Sequence, residues 1–315
     1  NMTGINWSKL PVMILEMGFM TNQSDDLRMS DASVQPLMAE GIADGIDLYF
    51  EKKDMKKKVV SGEAAEKMNT LLEIIGEGFI YPAEAQKEQW AVSVLDLKTG
   101  AEGDLNGDVK MASASVMKVF LMATIYDRVC YPASEDRHIS FEESYDGELK
   151  QLITDMITVS DNVSANTLVG MLGNGDNAAG QEAVNTYCKN NGYTDTSMGR
   201  MLLEKASANE NYTSARDCSV FLKNIYENKL EHSEDMLNLL KQQTRTEKIP
   251  KGIPSGVETA NKTGELDHVE NDAAIVFDGE NPYIICVMAD NLSDTTEARQ
   301  RIVDISSVVY ENISK

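Results

Sequence analysis

Strand-like alternation at two places in this chain brackets a long helical stretch, and that order limits the fold more than any other feature. Trp90, Val92, Val94 and Leu95 precede a turn at Lys98-Thr99-Gly100, which reads as a strand entering a hairpin. Helical periodicity then dominates residues 115–245, with apolar faces over 115–126, 149–157, 162–172 and 213–226. Strand patterns return at 259–263, 273–277 and 283–288, and a helix over 295–313 closes the chain. This order predicts an α+β fold in which both ends of the chain complete one antiparallel sheet, flanked by helices, with the long insert forming an all-helical subdomain. Upstream, Ala64, Met68, Leu71, Leu72 and Ile75 share one helical face.

Composition narrows the function classes. The 315 residues carry 29 Lys and Arg against 51 Asp and Glu, a net charge of -22, so the surface repels a phosphate backbone and nucleic acid is not an expected partner. No apolar run reaches the about 18 residues of a membrane span, so no membrane insertion is expected. The first residues lack the basic, apolar and small-residue succession of a secretion signal. Cys130, Cys188, Cys218 and Cys286 form no CxxC pair and read as buried free thiols, and His138, His232 and His268 are scattered. No metal site and no cofactor is expected.

Three short motifs carry chemistry. Ser115 and Lys118 stand three residues apart, on one helix face, where a neutral lysine can take the hydroxyl proton. Burial and a second cation nearby would push the ammonium toward that neutral form. Ser160-Asp161-Asn162 falls at the junction of two helical periods, where a serine and an asparagine can relay a proton and hold an amide. Lys262-Thr263-Gly264 falls on a strand, where a lysine and a threonine can receive a carboxylate and a glycine permits close backbone approach. Taken singly, each also fits something plainer: a helix with one polar face, a helix N-cap, a hairpin turn.

In this order the motifs S-x-x-K, S-D-N and K-T-G are the set of class A β-lactamases and penicillin-binding proteins, and residues 61–315 resemble that penicillin-recognising serine hydrolase family. The resemblance implies a β-lactamase/transpeptidase-like α/β sandwich and an enzyme acting on β-lactams or D-Ala-D-Ala stem peptides of peptidoglycan outside the cytoplasm. It implies Ser115 as nucleophile, Lys118 as proton acceptor, Ser160 as relay to the leaving nitrogen and Lys262 as its electrostatic partner. Thr263, with Lys262, would receive the substrate carboxylate, Asn162 would bind the acylamino chain, and Gly264 would let the substrate approach. The backbone N–H groups of Ser115 and Glu265 would form the oxyanion hole.

The resemblance weakens on the loop near 198–205. Arg200 resembles the basic residue before the family's water-activating glutamate, and Leu202 stands where that glutamate is expected. Glu204, two residues on, is either a substitute or a solvated surface carboxylate. Slow deacylation follows if nothing replaces the base, which favours a penicillin-binding D,D-peptidase over a working β-lactamase. A non-catalytic peptidoglycan-binding module is the reading from another class; the intact Ser115, Lys118 and Lys262 argue against it.

Residues 1–51 are similar to the last strand and helix of zinc-dependent N-acetylmuramoyl-L-alanine amidases, with Glu16 at the position of that family's acid/base. No histidine precedes His138, so this segment cannot hold that family's zinc. It reads as the C-terminal fragment of an amidase-like domain, joined by a charged linker over 52–60, or else as an extension docked on the hydrolase. An isolated strand has unpaired edges, and pairing with a second copy of the chain is one outlet for them.

Overall fold

In the computed structural model, residues 22–36, 38, 39, 42, 62–130, 147–204 and 209–314 are described. The chain separates into two compact units, residues 1–59 and 60–315. In the first, helix α1 spans Gln23–Ser30; Glu16 and most of residues 1–51, where an amidase-like strand and helix are expected, lie outside the described residues, as does His138.

The second unit is built on strands β1 (Gln89–Asp96), β2 (Glu102–Leu105), β3 (Met111–Ala112), β4 (Tyr212–Thr213), β5 (Glu258–Leu266), β6 (Val269–Phe277) and β7 (Tyr283–Asp290). Five of these form one antiparallel sheet in the order β2-β1-β7-β6-β5, so the N-terminal hairpin docks on the last strand, while β3 and β4 pair separately. Successive side chains point to opposite faces, and here both faces are covered. Trp90, Val92, Val94, Ile285 and Val287 join one core, whereas Ala91, Leu95, Ile284, Cys286 and Met288 join the other. That double burial explains why β7 and the second half of β6, residues 273–277, read as nearly continuous apolar runs.

Helix α2 (Gly62–Ile75) covers the first face with the terminal helix α10 (Thr295–Ile313), through Met68, Leu71, Ile302, Ile305 and Val309. A short α3 (Tyr81–Glu84) leads into β1. The second face carries the helical subdomain: α4 (Met117–Ile125), α5 (Gly147–Thr158), α6 (Asn162–Leu172), α7 (Asn177–Asn190), α8 (Ala215–Tyr226) and α9 (Ser233–Lys241). Every residue of α4 is buried, the signature of a helix apolar all round at the centre of a core. The α+β class is as expected; α7 and α9 are additions to the helices singled out by periodicity. Cys188, Cys218 and Cys286 are buried free thiols. No helix among the described residues is long and apolar enough to cross a membrane.

Candidate active site

Three elements meet where the sheet touches the helical subdomain. A 3-10 turn over Ala114–Val116 runs into α4, placing Ser115 at the start of the central helix and Lys118 one turn on. Its approach is braced from several sides. The Asn271 side-chain amide on β6 donates to the carbonyls of Ala112 (2.8 Å) and Ser113 (3.2 Å), and the Ser113 N–H donates to the Asn211 carbonyl. Ala114 has φ +47°, a left-handed conformation that a non-glycine residue holds only when its surroundings enforce it.

The second element is the α5–α6 junction. Helix α5 ends with Asp161 N–H donating to the Asp155 carbonyl and with Ser160 left-handed at φ +62°. The bond reaches six residues back, one more than the usual closing bond of a helix, across a left-handed position of the kind that usually holds glycine. A serine there brings its carbonyl and its hydroxyl to the same neighbour, Lys118. Asp161 then caps α6 through the Ser164 N–H, so the helix-cap reading of the second motif holds for Asp161, while Ser160 and Asn162 face Lys118.

The third element is β5, where Lys262, Thr263 and Gly264 pair with Ala273, Asp272 and Asn271; the motif lies within the strand and not in a turn. A Cβ placed on Gly264 would come 2.8 Å from the Ser113 carbonyl oxygen and 3.1 Å from the Ser115 nitrogen. The missing side chain therefore lets β5 lie against the chain that presents Ser115.

Together these elements form one hydrogen-bonded cluster. The Lys118 amine lies 2.6 Å from the Ser160 carbonyl oxygen, 2.6 Å from Asn162 Oδ1, 3.1 Å from Ser160 Oγ and 3.2 Å from Ser115 Oγ. A neutral amine has two N–H bonds and one lone pair. Donating to the two short carbonyl acceptors leaves that lone pair available to the Ser115 hydroxyl. Lys118 is fully buried; that burial pulls its pKa down to about 7, with Arg245 acting in the same direction and Asp161 opposing. From the other side, Lys262 donates to Ser160 Oγ (2.9 Å) and to the Thr263 carbonyl (3.0 Å). Burial, then repulsion from Lys118 and Arg245, holds its pKa well below the ordinary lysine value against the pull of Asp272.

Ser115, Ser160, Asn162, Thr263 and Glu265 line the cleft, and so does Arg245, which no local pattern signalled. Arg245 follows a segment tied to α5 by Gln243 and Thr244, through bonds to the Ile157 and Thr158 carbonyls. The neighbouring Lys248 is equally silent in the sequence. Its buried ammonium reaches the carbonyls of Gly264 and Asn271 and the Glu270 carboxylate at 2.6 Å. Asp272, behind β5, accepts from the Asn261 amide and from the Ile249 N–H.

The loop that follows is anchored by Arg200, which pairs with Glu210 through two bonds, and by Asn211, whose side-chain oxygen accepts from the Gly199 and Arg200 N–H groups. Leu202 is clamped on its main chain: its N–H donates to Asn166 Oδ1 and its carbonyl accepts from Asn166 Nδ2. Its side chain is 7% exposed. Glu204 is exposed, its carboxylate accepts from the Met201 N–H at 3.2 Å, and it does not line the cleft. The structure therefore does not bring Glu204 to Ser115.

The beta-lactamase enzyme family model matches residues 75–313, and the N-acetylmuramoyl-L-alanine amidase model matches residues 1–48. No curated protein matches the chain. Among solved structures, a beta-lactamase from Sphaerobacter thermophilus DSM 20745 superposes with a TM-score of 0.62 at 21% identity, over 76% of this chain and 95% of its own. A leucine-to-glutamate mutant of PBP-A, captured as an acyl-enzyme with penicillin G, gives 0.63 at 20% identity over 78% and 96%. An ancestral class A beta-lactamase gives 0.62 at 21% over 78% and 99%. These likenesses carry the fold.

Proposed function

Because the chain belongs to the beta-lactamase enzyme family, we propose that it is a serine acyltransferase of the penicillin-binding type, acting on β-lactams or on D-Ala-D-Ala stem peptides and releasing its acyl group slowly. The carrying observation is the Lys118 amine, buried and within hydrogen-bond reach of both Ser115 Oγ and Ser160 Oγ. Ser115 Oγ attacks the substrate carbonyl while its proton passes to Lys118. The tetrahedral oxyanion faces the N–H groups of Ser115 and Glu265, the interaction that removes most of the barrier in such reactions. As the C–N bond breaks, the proton moves from Lys118 through the Ser160 hydroxyl to the leaving nitrogen, and Ser115 remains as the ester. Lys262 steadies Ser160 and, with Thr263 and Arg245, receives the substrate carboxylate; Asn162 holds the acylamino chain.

Hydrolysis of that ester needs an activated water. Leu202 has no group that takes a proton, and the Glu204 carboxylate accepts from the Met201 N–H and is not among the cleft-lining residues, so the reading favours a long-lived acyl-enzyme over efficient antibiotic hydrolysis. The first unit fits the same setting: residues 1–51 as the end of an amidase-like domain, 52–60 as linker and 61–315 as the hydrolase describe a cell-wall enzyme working outside the cytoplasm.

Mixing the protein with benzylpenicillin and reading intact mass tests the proposal. One adduct is expected, mapping to the peptide that contains Ser115 and absent from Ser115→Ala. No adduct on the wild type, or one that survives in Ser115→Ala, would remove Ser115 from its role.

A further inference from the structure

Glu265 stands where the Ser115 cleft runs into a second basin. The two share Arg245, Thr263 and Glu265, and the basin adds Lys248 and Arg299. Three cations surround the Glu265 carboxylate. Lys248 Nζ lies 3.3 Å from Oε1, while Arg245 Nη1 lies 3.4 Å and Arg299 Nη2 3.8 Å from Oε2. Burial alone would raise the Glu265 pKa; Lys248, then Arg299 and Arg245, outweigh it and keep the carboxyl below its ordinary value, so the group is ionised at neutral pH.

The three cations are not equivalent. Lys248 is committed to Gly264, Asn271 and Glu270, and Arg299 holds Glu270 at 2.8 Å. Arg245 is different: it faces the Ser115 cleft, its guanidinium is 48% exposed, and the carboxylate it meets is Glu265. Its main chain is fixed, with its N–H on Gln243 Oε1 and its carbonyl on the Asn261 amide, so only the side chain is free to turn.

We propose that Glu265 is a resident carboxylate that competes with the carboxylate of an incoming substrate for Arg245, which makes it a specificity-determining residue of the cleft. The inference rests on the acyl-transfer reading above and deepens it. When a substrate carboxylate enters, Arg245 turns to it, and Glu265 stays paired with Lys248 and Arg299, so no charge is left stranded. A substrate without a carboxylate gains nothing from Arg245. How strongly the cleft prefers anionic substrates is therefore set by how tightly Glu265 keeps Arg245.

Acylation rates for benzylpenicillin and for its methyl ester, read by intact mass, test this. Glu265→Gln is expected to raise the acid-to-ester rate ratio about fivefold, the size of a half-exposed ion pair. The gain should vanish when Arg245→Gln is added. An unchanged ratio, or a gain that persists without Arg245, overturns the inference. A second measurement is independent of acyl transfer: Ser115→Ala titrated with N-acetyl-D-alanine, followed through the ¹⁵N signal of the Arg245 side chain. Adding Glu265→Gln should tighten binding about fivefold on the same ion-pair argument. An unchanged Kd, or no binding by either protein, overturns the inference. Tighter binding here, together with a wild type that never forms an adduct with benzylpenicillin, supports it and counts against the acyl-transfer reading alone.

Discussion

Lys118 is a basic residue inside a helix whose other members are almost all apolar, and its chemistry follows from that position. In water its ammonium would keep its proton; buried in α4, its pKa falls to about 7. In the proposed mechanism the neutral amine is the form that accepts the Ser115 proton, so acylation should rise with pH and level off once Lys118 is deprotonated. Each pH unit below about 7 is expected to cost close to tenfold in the acylation rate. Stopped-flow or quenched mass measurements across that range check it, and a rate flat from about pH 6 to about pH 8 contradicts Lys118 as the base. At this scale the site was partly legible. Ser115 and Lys118 stand out because a spacing of three stacks side chains on a helix. Ser160 was legible as a motif member but its left-handed backbone was not, because that position in a helix-closing turn usually belongs to glycine.

Between elements, the decisive contact is β5 against the turn that presents Ser115. Gly264 makes it possible, since any Cβ there meets the Ser113 carbonyl at 2.8 Å. Gly264→Ala should push the two segments apart and slow acylation by on the order of a hundredfold, the usual penalty for small displacements of reacting groups. A circular-dichroism melt run beside the kinetics separates misplacement from unfolding; a wild-type rate in the folded variant would refute the contact's importance. Sequence periodicity located β1, β5, β6, β7 and the helix over 295–313 because their patterns are local, but not the two-residue strands β3 and β4, the second of which falls at the start of a stretch read as helix. It did not locate Arg245 or Lys248. These lie on a segment without strand or long-helix period, and their places in the cleft and beside it come from tertiary ties to α5, β5 and β6. The Leu202–Asn166 clamp was invisible for the same reason: it joins residues 36 apart in sequence.

Across the whole molecule, the two ends of the hydrolase unit close one sheet around the helical insert, and the site lies where the three meet. The order of patterns along the chain was enough to foresee that architecture, because each face of the sheet demands its own covering layer. Under the proposed function this arrangement acylates readily and deacylates slowly because residue 202 is a leucine. The most direct measurement is the lifetime of the benzylpenicillin adduct after free drug is removed, followed by intact mass for the wild type and for Leu202→Glu. A persistent adduct is expected on the wild type and a lifetime shortened by about tenfold or more in the variant, as a restored general base allows. A wild-type adduct that disappears as fast as penicillin is hydrolysed would contradict it.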